Sequence, residues 1–97
     1  MACYIALIDF TEQGVRDFRE SPGRAQGFED DVRNLGVTVN QVYWTLGAHD
    51  GALIFEAEDE TAATAAMLAL AGKGNVRTHT MRAFTAPEFE EICGRTS

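Results

Sequence analysis

The chain predicts an α+β domain built in the order βαββαβ, and three observations predict it. Residues 2–10 form an apolar run of strand length, two capped helical segments interrupt the strand-like runs, and GAHDG between the middle runs has hairpin chemistry. A chain of 97 residues supports one hydrophobic core, so residues 1–97 read as a single domain.

The first strand is Ala2–Phe10, where Tyr4, Ala6, Ile8 and Phe10 share one face and Cys3, Ile5 and Leu7 the other. Both faces are apolar, which is the mark of a strand covered on two sides. Thr11 is the expected N-cap of a helix whose Val15 and Phe18 lie three apart on one face. Ser21 followed by Pro22 reads as a second N-cap, with a break before it. Beyond it Ala25, Phe28, Val32 and Leu35 recur at helical spacing, and Gly36 closes the helix.

Residues 37–47 and 52–57 are the hairpin strands. Asp59 and Thr61 start an alanine-rich helix that runs to Leu70 and stops at Gly72 and Gly74. Its Ala65, Met67, Leu68, Leu70 and Ala71 are too apolar for exposure on most sides. Residues 75–84 form the fourth strand, with Arg77, His79 and Met81 on one face. A terminal helix over 86–93 carries Pro87 in its first turn and Phe89 and Ile92 three apart. This order is the ferredoxin-like arrangement, a four-stranded antiparallel sheet with both helices on one face. The second face is apolar and bare. An identical sheet from a second copy is the simplest cover, which predicts a homodimer and leaves a higher oligomer open.

Composition narrows the function classes. Hydrophobic residues make up 45% and charged residues 24%, an ordinary globular balance, and the net charge of −7 repels phosphate backbones and anionic lipid. Neither nucleic acid nor a membrane is an expected partner. No apolar run reaches transmembrane length and no basic region precedes the apolar start, so a cytoplasmic protein is expected. Cys3 and Cys93 read as free thiols. With two histidines thirty residues apart and no CxxC spacing, no metal and no cofactor is expected.

Six residues are candidates for chemistry. His49 can move a proton in the hairpin turn with Asp50 orienting it. The simpler reading is a turn in which Asp50 bonds to backbone, Gly51 supplies positive φ and His49 is solvated. His79 shares a strand face with Arg77, so Arg77 can hold a carboxylate or enolate while His79 transfers a proton; a solvated interface or sheet edge explains the same pair. Tyr43 and Trp44 face opposite sides of a regular strand, so one lies under the helices and the other toward a partner. Packing explains both, and a planar ligand is the other reading.

The segments YIALIDFTEQGVR, GVTVNQVYWTLGAHDG and GNVRTHTMRAF, in that order from Tyr4 to Phe84, resemble the GYD-domain family, small bacterial proteins of the dimeric α+β barrel superfamily. Gly47, His49 and Asp50 stand at the place of the family's glycine, tyrosine, aspartate signature, with histidine replacing tyrosine. The resemblance implies the same fold and dimer, and carries no catalytic residues over. Two functions follow. The first is a homodimeric ligand-binding or regulatory module, taking a small apolar or anionic molecule between sheet and helices. The alternative is a cofactor-independent enzyme of monooxygenase or isomerase type for a small carbonyl or phenolic compound, with His79 or His49 as proton carrier and Arg77 as anion anchor.

Overall fold

The computed structural model describes residues 1–96. In chain order the elements are β1 (Ala2–Phe10), α1 (Glu12–Arg16), α2 (Ser21–Val32), β2 (Val37–Trp44), β3 (Gly51–Ala57), α3 (Glu60–Ala71), β4 (Val76–Ala83) and α4 (Ala86–Gly94). Single 3₁₀ turns at Phe18–Glu20 and Arg33–Leu35 flank α2. The strands form one antiparallel sheet in the order β2-β3-β1-β4, which is the ferredoxin-like α+β topology. No helix among the described residues is long and apolar enough to cross a membrane.

Alternation along the central strands builds the core. Tyr4 and Ala6 of β1 pair with Phe55 and Leu53 of β3, and this face meets Phe28 and Val32 of α2 and Ala63, Ala66 and Met67 of α3. Phe55 is 0% exposed and stacks on Tyr4 with ring centroids 5.2 Å apart. The small alanines of α3 let its backbone approach the sheet. Thr11 and Asp59 cap α1 and α3 by accepting the Gly14 and Ala62 N–H groups. Gly36 adopts φ +80°, the left-handed conformation that ends the turn before β2.

Several expectations are corrected. α1 ends after five residues, and Val15 and Phe18 are exposed. Its inward residue is Gly14, because the Thr11 N–H and hydroxyl bond to the carbonyls of Asn75 and Gly74 and draw α1 onto the turn before β4. A Cβ on Gly14 would lie 1.9 Å from the Asn75 carbonyl oxygen. Gly14→Ala is therefore expected to destabilise the fold by about 2 kcal/mol, read as a lowered urea midpoint at unchanged slope.

Ser21 does not cap α2. The preceding 3₁₀ turn runs straight into the helix, so the Ser21 N–H already bonds to the Phe18 carbonyl and its hydroxyl is left for another partner. On α3 the inward line is Ala63, Ala66 and Met67, while Ala65 is exposed and Leu68 is 67% exposed. In the hairpin, the positive φ belongs to Gly47 at +126° and not to Gly51. Gly51 opens β3, where a Cβ would meet the Tyr43 carbonyl at 2.8 Å.

The second sheet face stays open. Cys3, Ile5 and Leu7 of β1 align with Ala52 and Ile54 of β3 and with His79 and Met81 of β4. The molecule measures 17 Å in its shortest direction, one helix layer on one sheet. Ile5, Leu7, Ala52 and Ile54 are only part-buried there, and Met81 is 47% exposed.

α4 buries none of its residues, and its fold is set locally. Thr85 and Glu88 form a capping box, in which the Thr85 N–H donates to Glu88 Oε1 at 2.8 Å and the Glu88 N–H donates to the Thr85 hydroxyl at 3.3 Å. The Thr85 backbone, then its hydroxyl, and then the nearby Arg82 hold the Glu88 carboxyl below its ordinary range. A depressed folded value means the cap stabilises α4 above the ordinary glutamate pKa and is lost as pH falls through the folded value. Helical signal from α4 is expected to fall in acid along a curve that Glu88→Gln flattens, measured by circular dichroism.

Candidate functional site

The turn between β2 and β3 is pinned to the end of β1. The Thr45 N–H donates to the Asp50 carbonyl at 2.9 Å, and the Thr45 hydroxyl to the His49 carbonyl at 2.6 Å. The Asp50 N–H donates to the Ile8 carbonyl at 2.8 Å, and the Phe10 N–H donates to Asp50 Oδ2 at 2.8 Å. Asp50 thus bonds to backbone, as the turn reading has it, but to the backbone of β1 rather than within the turn. Its carboxylate takes the Phe10 N–H, and it is Asp9 that meets the His49 ring. The imidazole is not simply solvated either: it reaches Asp9, the open-face residue that follows Leu7 on β1.

His49 Nδ1 lies 3.1 Å from Asp9 Oδ1 and 3.3 Å from Oδ2. His79, opposite Leu7 in the β1–β4 register, places Nε2 3.4 Å from Asp9 Oδ2. The two rings are 5.9 Å apart, tilted by 57°. One carboxylate therefore stands between two imidazoles. In neutral His49 a proton on Nδ1 is donated to Asp9, which fixes the tautomer and leaves Nε2 as a free acceptor, the arrangement by which a carboxylate orients a general base. Arg77 stands opposite Asp9 in the same register but makes no ion pair among the described residues. The cluster is solvated: the His49 and Asp9 side chains are about a third exposed and His79 more. Among the described residues, no group of three or more His, Cys, Asp or Glu is arranged to hold a metal ion.

A cleft of about 80 Å³ lies on the other side of the sheet, between α2 and the strands. Tyr43, Trp44 and Asp50 line it, together with Ser21, Arg24 and Phe28. A bulge at Asn40 decides which aromatic turns inward. The β2–β3 register slips by one residue between Val39 and Gln41, so Val42 and Trp44, not Gln41 and Tyr43, continue the helix-facing line. Trp44 Nε1 then donates to the free Ser21 hydroxyl at 2.9 Å. Tyr43 takes the open-face register of Ala52 and Leu7.

The six candidates thus fall into two groups. His49, His79 and Arg77 lie on the open face beside Asp9; Trp44 and Asp50 border the cleft beside Ser21, and Tyr43 borders it from a position whose register belongs to the open face. Among the described residues, no histidine lines that cleft. Asp9 and Ser21 were missing from the sequence-based set. Strand alternation was signal enough for Asp9, a lone charge on a face of β1 otherwise apolar. Nothing local to Ser21 marks it as a partner for an indole 23 residues away.

Comparison with known proteins places this architecture. The model of the GYD domain matches residues 4–93. A Thermus thermophilus protein named "Glutamine synthetase and cystathionine beta-lyase binding protein" is 34% identical over 90 residues, spanning 92% of this chain and 95% of the relative. A crystal structure of a protein from Thermus thermophilus superposes with a TM-score of 0.58 at 22% identity, over 89% of this chain and 96% of that one. A dimeric ferredoxin-like protein from an uncultured marine organism superposes with a TM-score of 0.54 at 12% identity, over 89% and 95%. These two likenesses concern the fold. With a family model matching nearly its whole length and a relative above 30% identity, the chain belongs to the GYD domain family.

Proposed function

We propose that this chain is a homodimeric binding module of the cytoplasm, a single domain that pairs through the open faces of two sheets and presents the outer surface of the pair to partner proteins. The observation that carries the reading is the uncovered apolar face, on which Ile5, Leu7, Ala52, Ile54 and Met81 lie in register across three strands. An exposed apolar surface continuous over the centre of a sheet costs solvation until something covers it. A second copy offers the same face by symmetry. The likeness to a relative named for binding glutamine synthetase and cystathionine β-lyase supports proteins as partners, enzymes of that kind first.

The test is binding of the purified protein to glutamine synthetase and to cystathionine β-lyase from its own source organism, by biolayer interferometry. Saturable binding to either, lost on addition of excess unlabelled protein, is the expected outcome. Flat responses to both would refute enzymes of this kind as the partners.

A second reading has one observation in its favour, the His49–Asp9–His79 cluster beside Arg77. It fits a cofactor-independent enzyme that moves a proton on a small carbonyl or phenolic compound, with Asp9 orienting His49 and Arg77 holding the anion. Deuterium exchange at the acidic C–H of a small dicarbonyl, followed by NMR, tests it. Exchange that wild-type protein accelerates and His49→Ala does not is expected on this reading, and equal rates with and without protein dismiss it.

A further inference from the structure

The cleft under Trp44 has a composition that selects its occupant. Its walls are hydrocarbon from Ile8, Phe28, Val42, Leu53 and Leu70. Each charged or amide group on its lining is engaged elsewhere. Arg24 donates to the carbonyls of Asp17 and Gly14 at 3.1 and 3.2 Å, and Lys73 pairs with Asp31 at 3.1 Å. Asp50 takes the Phe10 N–H, and the Asn75 side chain takes an N–H from Gln13 at 2.9 Å. These bonds hold the polar groups toward the rim, and a polar ligand would exchange its water for the few donors and acceptors they leave over, while an apolar one gains from the hydrocarbon walls.

Size and entrance agree with this. At about 80 Å³ the space is roughly half that of the ~150 Å³ engineered cavity that takes benzene, so it accepts one end of a small molecule rather than the whole. The indole of the chain's single tryptophan lines the cleft, 49% exposed, and bridges β2 to α2 through one hydrogen bond to Ser21. Aromatic faces of this kind hold apolar and planar groups.

We propose that this cleft is a binding site for one end of a small uncharged apolar molecule, a short alkyl chain or an aromatic ring, and that Trp44 is its cover, held shut by Ser21. The site lies between α2 and the sheet, and among the described residues no histidine lines it. It stands whether or not the protein pairs.

Toluene titrated into the full-length protein, with Trp44 emission as the reporter, tests the proposal. A saturable shift is expected. Ala25→Leu narrows the cleft and is expected to weaken the response at least tenfold while the far-ultraviolet circular dichroism stays unchanged. Ser21→Ala removes only a hydroxyl from the lining and frees the indole, so it is expected to tighten binding by about fivefold, the equivalent of one hydrogen bond no longer competing. Benzoate, of similar shape but charged, is expected to bind at least tenfold more weakly than toluene. A linear, unsaturable response, weaker binding in Ser21→Ala, or tighter binding of benzoate than of toluene would each overturn the proposal.

Discussion

Ile54→Asp is expected to give a folded chain that no longer pairs. Ile54 sits on the open face at the centre of the sheet, directly opposite Ile5 in the β1–β3 register. In one isolated copy it is part-exposed, so an aspartate there keeps its water and costs about 1 kcal/mol through lost strand propensity and packing. In a pair joined face to face, two-fold symmetry buries the new carboxylate twice, with no cation opposite it. An unpaired buried charge costs several kcal/mol, so the dimerisation constant is expected to fall by at least about a thousandfold. Size-exclusion chromatography with light scattering reads the mass, and thermal melting reads the fold. A variant that still runs as a dimer would place the interface elsewhere.

Phe55→Ala is expected to act on the opposite face and in the opposite way, by unfolding rather than separating. Phe55 is adjacent in sequence but points under the helices, where it is fully buried against Tyr4. Truncating a buried phenylalanine costs about 3–5 kcal/mol, because the lost transfer energy is joined by the cavity left behind. A domain of this size holds about 5–15 kcal/mol in all, so the melting temperature is expected to drop by about 12 °C or more. A loss below about 1 kcal/mol in urea unfolding would mean the core repacks around the gap. Two neighbouring residues thus separate assembly from stability, because successive side chains of a strand address opposite layers.

Legibility followed locality. The bounds of β1, the caps at Thr11 and Asp59, the closing Gly36 and the terminal helix depend on residues within a turn of one another, and the sequence carries them. Sheet order followed from the succession of elements. What escaped was set by long-range register. Asp9 meets His49 across 40 positions, and only the pinning of the hairpin turn to β1 brings the two together. The bulge at Asn40 is a single extra residue with no strong mark of its own, yet it sends Trp44 inward and Tyr43 outward. The exposure of Val15 and Leu68 depends on how α1 and α3 are rotated against the sheet, which Gly14 and the small alanines decide by close approach.

The histidine cluster and the open face are parts of one surface. His79 and Met81 alternate along the same face of β4, so a partner sheet that covers Met81 also approaches the imidazoles. Pairing would then remove water from Asp9 and strengthen its bonds to both rings.

The binding-module reading of that surface rests on its being covered by a second copy. Sedimentation equilibrium of the wild-type protein at micromolar concentration measures this most directly. A mass twice the 10.6 kDa of one chain, falling to a single chain in Ile54→Asp, is expected. A mass of 10.6 kDa at every concentration, with the apolar face stable in water, would contradict it.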